Sequence, residues 1–293
     1  MQIGEKIKRL RTAKLMTQSE LVGGEITRNM LSRIENGAAQ PSMATIKYIA
    51  ERLNVSPGFL LADEDDEILY FKSAEISNIK KAYTDKDYEL CRQMCKNSEW
   101  SDDELMLILS ESTAYVAIEE FLHGNLRSAV ELFDEAIKYC SQTVYDTSNI
   151  LSRIKCYFNY MSLVSPTLDS NEADENSALP IVKDRFCVYS YIFLKGENDG
   201  YKNIPLLDDA LEFLGKSSYG IHIQAKLLIE EDRYSEGYEA LHTLLFSDNG
   251  ELPEPMLYFV LNDIELCCKE IDDFKGAYDF SKSKLELMQK LLT

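Results

Sequence analysis

A chain of 293 residues with 45% apolar and 28% charged residues can bury the core of one large or two ordinary domains, which excludes intrinsic disorder. No apolar run approaches the roughly 20 residues that cross a bilayer. No secretory signal is read at Met1-Gln2-Ile3-Gly4-Glu5-Lys6-Ile7-Lys8-Arg9, so no membrane partner and a cytoplasmic location are expected.

The net charge of −19 would argue against a nucleic-acid partner if it were evenly spread. It is not: residues 1–62 hold nine Lys/Arg against five Asp/Glu, a net +4, and the other 22 Lys/Arg and 45 Asp/Glu leave −23. A basic head on an acidic body suits two different partners, and only the head suits phosphates.

In chain order, residues 3–61 read as five short helices. Ile3, Ile7 and Leu10 share one face of the first, which runs to about Lys14. Thr17-Gln18-Ser19-Glu20 is a capping box that opens the second helix, and Gly23-Gly24 ends it. Thr27 caps a third helix with Met30, Leu31 and Ile34 expected inward, closed by Asn36-Gly37, residues that tolerate left-handed geometry. Ser42 opens a fourth helix carrying Ile46, Ile49, Ala50 and Leu53, and Ser56-Pro57 caps the fifth. The run Asp63-Glu64-Asp65-Asp66-Glu67 is read as part of a solvated hinge over 63–68, dividing the head, 1–62, from a body, 69–293.

From Ile68 onward the pattern is helical, with similar turns at Asp87-Tyr88, Asn125-Leu126, Arg233-Tyr234 and Asp273-Phe274 and a weaker one at Gly200-Tyr201. Their aromatic or Leu positions lie 38, 75, 33 and 40 residues apart, one or two periods of a helical-hairpin repeat. Ala117, Phe121, Gly124, Ala129, Phe133 and Ala136 match the small-large-small spacing of a tetratricopeptide hairpin, and Ser101-Asp102-Asp103-Glu104 reads as the capping box before it. Ser165-Pro166 to Pro180 reads as a long loop. The expected fold is all-α: an N-terminal five-helix helix-turn-helix domain followed by a tetratricopeptide-like α-solenoid of helical hairpins.

A short helix, a glycine turn and a second short helix within about 60 residues is the arrangement that places a recognition helix in the DNA major groove. With Thr17-Gln18-Ser19-Glu20-Leu21, Ser32-Arg33-Ile34-Glu35-Asn36-Gly37 and Pro41-Ser42 in place, residues 3–61 closely resemble the Xre/phage-repressor family of DNA-binding domains. The resemblance implies that Gln18 touches a phosphate and braces the recognition helix, and that Glu35 pairs with Arg11. Side-chain chemistry then favours Arg28, Asn29 and Arg33 for base edges, Thr27 and Ser32 for phosphate or base, and Asn36 for phosphate. The competing reading of each is a solvated polar side chain.

An Xre-like head followed by degenerate helical repeats resembles the peptide-responsive regulators called the RRNPP group. That resemblance implies a homodimeric transcription factor on an inverted-repeat operator, with a repeat domain that binds a short peptide and sets the placement of the two heads. In the body Tyr157-Phe158-Asn159-Tyr160 and Tyr189-Ser190-Tyr191-Ile192-Phe193 supply candidate groove residues. Asn159 and Asn262 could clamp a peptide backbone through their amides, with Tyr160 and Tyr191 beside them; the competing reading of the aromatics is inter-repeat core. Dimer contact is expected in the C-terminal hairpins from Met256 to Leu292, where Leu257, Val260, Leu261, Ile264, Leu285 and Leu291 recur at helical spacing.

No cofactor is expected. The seven cysteines form no CxxC and read as buried thiols, Cys91 and Cys95 included, and His123, His222 and His242 stand far apart. No nucleophile-base set, P-loop or dinucleotide fingerprint points to an enzyme. The alternative to a ligand-responsive regulator is an interaction protein, of an antitoxin or phage-immunity kind, whose body holds a constitutive protein partner.

Overall fold

The computed structural model describes residues 2–62, 64–164, 184–205, 207–246 and 252–292, with residues 64–70 described by their backbone alone. The described residues are helical, with no strand among them. The chain divides into two compact units, residues 1–81 and 82–293.

The first unit holds α1 (Ile3–Ala13), α2 (Gln18–Val22), α3 (Arg28–Glu35), α4 (Met43–Arg52) and α5 (Pro57–Leu61), followed by α6 (Glu64–Thr84), within which the division falls. Thr17, Thr27, Ser42 and Ser56 each accept a hydrogen bond from a backbone N–H in the first turn of α2, α3, α4 and α5, so four helix starts are fixed by side chains readable in the sequence. The core gathers Ile7, Leu21, Leu31, Ile34, Ile49, Leu53 and Phe59. Gly4 lets α1 lie against α3: a Cβ there would stand 1.9 Å from the Ile34 carbonyl oxygen.

Two expectations for this unit change. Met30 is 38% exposed: the inward arc of α3 is centred on Leu31, Ile34 and Glu35, which leaves Met30 at its rim. The expected hinge is helical backbone from Glu64 on, as suits acidic residues at the positive end of a helix dipole; Asp63 lies outside the described residues.

The second unit continues with α7 (Tyr88–Asn97), α8 (Asp103–Leu122), α9 (Leu126–Cys140), α10 (Ser148–Val164), α11 (Arg185–Asp199), a 3-10 turn at Tyr201–Asn203, α12 (Leu207–Leu214), α13 (Ser218–Glu230), α14 (Tyr234–Phe246), α15 (Glu254–Glu270) and α16 (Phe274–Leu292). The four turns recognised in the sequence share one backbone device. Lys86, Gly124, Asp232 and Asp272 have φ of 62°, 80°, 59° and 62°. The next residue's N–H then reaches back five residues, Asp87 to Ala82, Asn125 to Glu120, Arg233 to Leu228 and Asp273 to Cys268, at 2.8–3.0 Å. This is the Schellman closure, which satisfies carbonyls otherwise orphaned at a helix end. The α8–α9 hairpin packs as its spacing predicts, with Ala117, Phe121, Leu126, Ala129, Phe133 and Ala136 all buried.

Asp102, not Ser101, caps α8 and accepts from the Leu105 N–H at 2.9 Å. Gly200-Tyr201 opens no second helix. Tyr201 instead folds back, buried, into the space left by Gly196 and donates from its hydroxyl to Glu197 Oε1 at 2.9 Å. The loop expected over 165–180 lies outside the described residues.

Aromatic rings fill the centre: Phe121, Tyr157, Phe186, Tyr160, Tyr189, Phe193 and Phe259 touch in sequence, the closest pair, Tyr157 and Phe186, stacked with centroids 4.3 Å apart. A chain of polar groups threads these rings. The Tyr160 and Tyr189 hydroxyls are 3.1 Å apart, Tyr189 Oη lies 2.8 Å from His222 Nδ1, and His222 Nε2 lies 2.9 Å from Asp263 Oδ2. Lys226 Nζ then bridges Asp263 Oδ1 at 3.1 Å and Glu197 Oε1 at 2.7 Å. The chain joins α10, α11, α13 and α15, and Tyr160, Tyr189 and His222 are fully buried.

Burial opposes the Asp263 charge, but the His222 hydrogen bond and the Lys226 ammonium outweigh it and hold the carboxyl below its ordinary range. A carboxyl with a folded pKa below its unfolded one adds stability above the unfolded value, and that stability is lost as pH falls through the folded value. Asp263→Asn should therefore cost about 1–3 kcal/mol, since His222 and Lys226 lose a buried charged acceptor and Lys226 keeps only Glu197, and should flatten the acid limb of the stability profile. Chemical denaturation followed between neutral pH and pH 3 checks both; an unchanged midpoint would mean that the chain carries no stability.

Candidate nucleic-acid interface

The interface is built on a buried charge. The Glu35 side chain, 1% exposed, sits at the inner end of α3 and receives Arg11 Nε at 2.7 Å from α1. Arg11 Nη2 reaches its second oxygen at 3.1 Å, and Gln18 Nε2 donates to the same oxygen at 2.7 Å from the first residue of α2. Arg11 Nη1 also donates to the Met16 carbonyl at 2.7 Å. One carboxylate thus ties three helices together, with both oxygens satisfied. The guanidinium's own pKa is raised, chiefly by its hydrogen bond to Glu35.

With the inner side of α3 anchored in this way, its outer side faces solvent. Thr27, Arg28, Asn29, Arg33 and Asn36 are exposed and Ser32 is half-buried. Arg28 with Ser32, and Asn29 with Arg33, are separated by one helical turn, so the four form a contiguous face. Among the described residues the Arg28 and Arg33 side chains make no hydrogen bond or ion pair. The Thr27 hydroxyl accepts the Met30 N–H at 3.2 Å and retains its proton for donation. Gln18, half-buried, uses one amide hydrogen on Glu35 and keeps the other.

Two further cations of the head, Lys6 and Arg52, are structural, which the charge count could not reveal. Lys6 is 1% exposed and donates to the Phe59 and Ala62 carbonyls at 2.8 and 2.7 Å, closing the C-terminal end of α5. Arg52 Nη2 donates to the Glu20 carbonyl at 2.5 Å. The signal for Lys6 was its place beside Ile3 and Ile7 on the inward side of α1.

The four body candidates sit in different settings. Tyr160 is buried with its hydroxyl on Tyr189, and Tyr191 is half-buried against the core. Asn262 is exposed, and its Oδ1 accepts from Lys284 Nζ at 3.1 Å. Asn159 is buried and its Oδ1 has no hydrogen-bond partner among the described residues. Sequence reading missed His222, Lys226 and Asp263; the available signal was polar residues set among the apolar positions of α13 and α15.

Glu35→Ala should lower the melting temperature of the first unit, as loss of one partner leaves a largely buried guanidinium uncompensated, at about 3–5 kcal/mol. Glu35→Gln, which keeps the shape and acceptor oxygen, should cost less. Thermal unfolding followed by circular dichroism reads both, and equal stability of all three proteins would contradict the anchoring role.

Residues 7–60 match the family described as Helix-turn-helix. Over 84 residues the chain is 33% identical to the HTH-type transcriptional activator BcrR of Enterococcus faecalis, a match covering 28% of this chain and 41% of that protein, so the chain spans less than half of this relative's length. Among solved structures it is similar to Bacillus thuringiensis PlcR in complex with the peptide PapR7 and DNA, at 15% identity and a TM-score of 0.25 over 99% of this chain and 96% of that one. It is similar to PrgX at 14% identity and a TM-score of 0.31, over 97% and 98% of the two chains. It is also similar to the apo competence regulator ComR of Streptococcus vestibularis at 16% identity and a TM-score of 0.22, over 97% and 91%. The N-terminal part of the chain, residues 7–60, is a helix-turn-helix domain of the Xre type.

Proposed function

We propose that this chain is a sequence-specific DNA-binding transcriptional regulator whose helical-repeat unit binds a short peptide and holds it as a homodimer. The observation that carries the reading is the division of α3 between a sealed anchor at Glu35 and exposed Arg28, Asn29 and Arg33 side chains left unspent. Arginine suits guanine O6 and N7, asparagine suits adenine N6 and N7, and a rigid helix presents both without ordering cost. Gln18, Thr27, Ser32 and Asn36 take the flanking phosphate contacts that set register.

Support for peptide binding is the orphaned Oδ1 of Asn159, an acceptor that a peptide N–H would satisfy. Support for dimerisation comes from α16. Of the residues expected at the contact, Val260, Leu261 and Ile264 are buried because α15 is covered by its neighbours, and Leu291 is buried on the inner side of α16. The open apolar face is Phe274, Tyr278, Leu285 and Leu292, all exposed, at spacings of four and seven along the last helix. Such a stripe is the seam along which two helices pair. Two heads would then read an inverted repeat with recognition helices about 34 Å apart, one DNA turn.

DNA selected by the purified protein, with and without short synthetic peptides, tests the whole reading: no enriched sequence in either condition would end it. On the selected operator, Arg28→Ala or Arg33→Ala should cost about 1–3 kcal/mol and relax preference at one base pair. Gln18→Ala should weaken all sequences alike, and a changed base preference there with none from the arginines would reverse the assignment.

Light scattering checks the stripe. Tyr278→Glu combined with Leu285→Glu should convert a dimer to a monomer at micromolar concentration, whereas a monomer before substitution removes α16 as the dimer contact.

A further inference from the structure

Counting donors and acceptors fixes where each proton sits in the buried polar chain. Asp263 receives Lys226 Nζ on Oδ1 at 3.1 Å and His222 Nε2 on Oδ2 at 2.9 Å. Both of its oxygens accept, so His222 Nε2 carries a hydrogen. At the other end Tyr160 is fully buried, and among the described residues its hydroxyl has one hydrogen-bond partner, the Tyr189 hydroxyl at 3.1 Å. Tyr189 Oη in turn meets His222 Nδ1 at 2.8 Å. Every proton finds an acceptor only when donation runs from Tyr160 to Tyr189, from Tyr189 to Nδ1, and from Nε2 to Asp263. If Nδ1 also carried a hydrogen it would donate to Tyr189, and Tyr189 would turn its own proton onto Tyr160. The Tyr160 proton would then have no acceptor and no water within reach, at the full desolvation penalty of a buried hydroxyl.

We propose that this one-way chain makes the second unit acid-sensitive: His222 is held as the neutral ring with its hydrogen on Nε2, and a proton arriving at Nδ1 reverses both tyrosine hydroxyls, strands that of Tyr160 and loosens α13 from α10 and α11. His123 and His242 are exposed, so His222 is the histidine whose protons the fold dictates.

The charged groups around the ring act in the opposite sense. Asp263 on α15 and Glu197 on α11 bring two negative charges against the single ammonium of Lys226 on α13, and the Tyr201 hydroxyl donates to Glu197. That surplus favours an imidazolium. Opposing it are the complete burial of the ring, which penalises a further charge, and the stranded hydroxyl. Tyr219, one turn before His222, lays its ring on Tyr189 with centroids 5.1 Å apart, but its hydroxyl makes no hydrogen bond among the described residues and offers Tyr160 no outlet. Direction of donation therefore decides the matter, and it can be altered one oxygen at a time.

The test is nuclear magnetic resonance of the full-length protein labelled with nitrogen-15 in its histidine rings, with His123→Gln and His242→Gln assigning the two exposed rings. At pH 7 His222 should show one protonated nitrogen and one bare nitrogen. Tyr160→Phe removes the hydroxyl that would be stranded, so at pH 6 the doubly protonated fraction of His222 should rise several-fold above that of the unsubstituted protein. Tyr189→Phe instead removes the partner of Nδ1, where an added proton would itself be stranded, and the fraction should not rise. Stability gives a second readout. A histidine kept neutral in the fold and free to charge when unfolded makes stability fall as pH drops below about 6.5, so chemical denaturation at pH 7 and pH 5.5 should show a loss that is smaller in Tyr160→Phe. A doubly protonated His222 at pH 7 in the unsubstituted protein overturns the proposal without any variant. Equal doubly protonated fractions in Tyr160→Phe and the unsubstituted protein at pH 6, or a rise as large in Tyr189→Phe, would overturn it as well.

Discussion

The Glu35 carboxylate is the constraint on which the first unit's surface depends. An ionised carboxylate removed from water is tolerated only with its oxygens satisfied, and here the donors come from α1 and α2 while the carboxylate rides on α3. Satisfying it therefore fixes the mutual placement of three short helices, none of which is long enough to persist alone in water. The consequence is a face, not only a fold. Once Leu31, Ile34 and Glu35 are inward, Asn29 and Arg33 point outward, and Arg28, seven residues before Glu35, is exposed at the first turn of the helix. Preorganisation of this kind spares the cost of ordering the α3 backbone when any partner meets that face.

Net charge locates the interface more coarsely than the residues do. The head's positive excess is a sum over cations with different employment: Lys6 closes a helix end, Arg11 holds Glu35, and Arg52 serves the Glu20 carbonyl. The head's other cations are Lys8, Arg9, Lys14 and Lys47 as well as Arg28 and Arg33 of α3, so its positive field is broader than the face that carries the two arginines. The acidic body acts in the opposite sense, since its like charge disfavours approach of phosphates anywhere else.

How much of this was legible depends on the range of the interactions. Caps and turns are local, so Thr17, Thr27, Ser42 and Ser56 announced their helices, and four similar turns announced hairpins, though not the Schellman closure that they share. Glu35 with Arg11 was reached through a family resemblance, not through spacing. The polar chain from Tyr160 to Glu197 was not legible at all, because each link joins residues on different helices, and His222 meets Asp263 only after α13 and α15 have docked. Its members, read singly, look like ordinary tyrosines and a stray histidine. Asp102 displaced Ser101 as a cap for a smaller reason: both can accept, and the register of α8 decides between them.

Periodicity also leaves open which apolar face is covered. It assigns each helix a stripe but not the neighbour that lies over it, and a solenoid resolves the question by order: every helix except those at the ends is flanked by another. In α15 the apolar residues are spent on α14 and α16, so Val260 and Ile264 are sealed. Among the described residues α16 packs chiefly on α15. Ala277 and Leu291 face back toward the body while Phe274, Tyr278, Leu285 and Leu292 face out. Leaving several large apolar side chains in water forgoes roughly 1.5–3 kcal/mol each, a cost that a second copy of the same helix would remove from both chains at once. The same argument separates Leu285 from Leu291, which share a helix and a residue type: six residues apart, they lie about 120° apart around α16, one exposed and one buried, and only the outward one is free to pair.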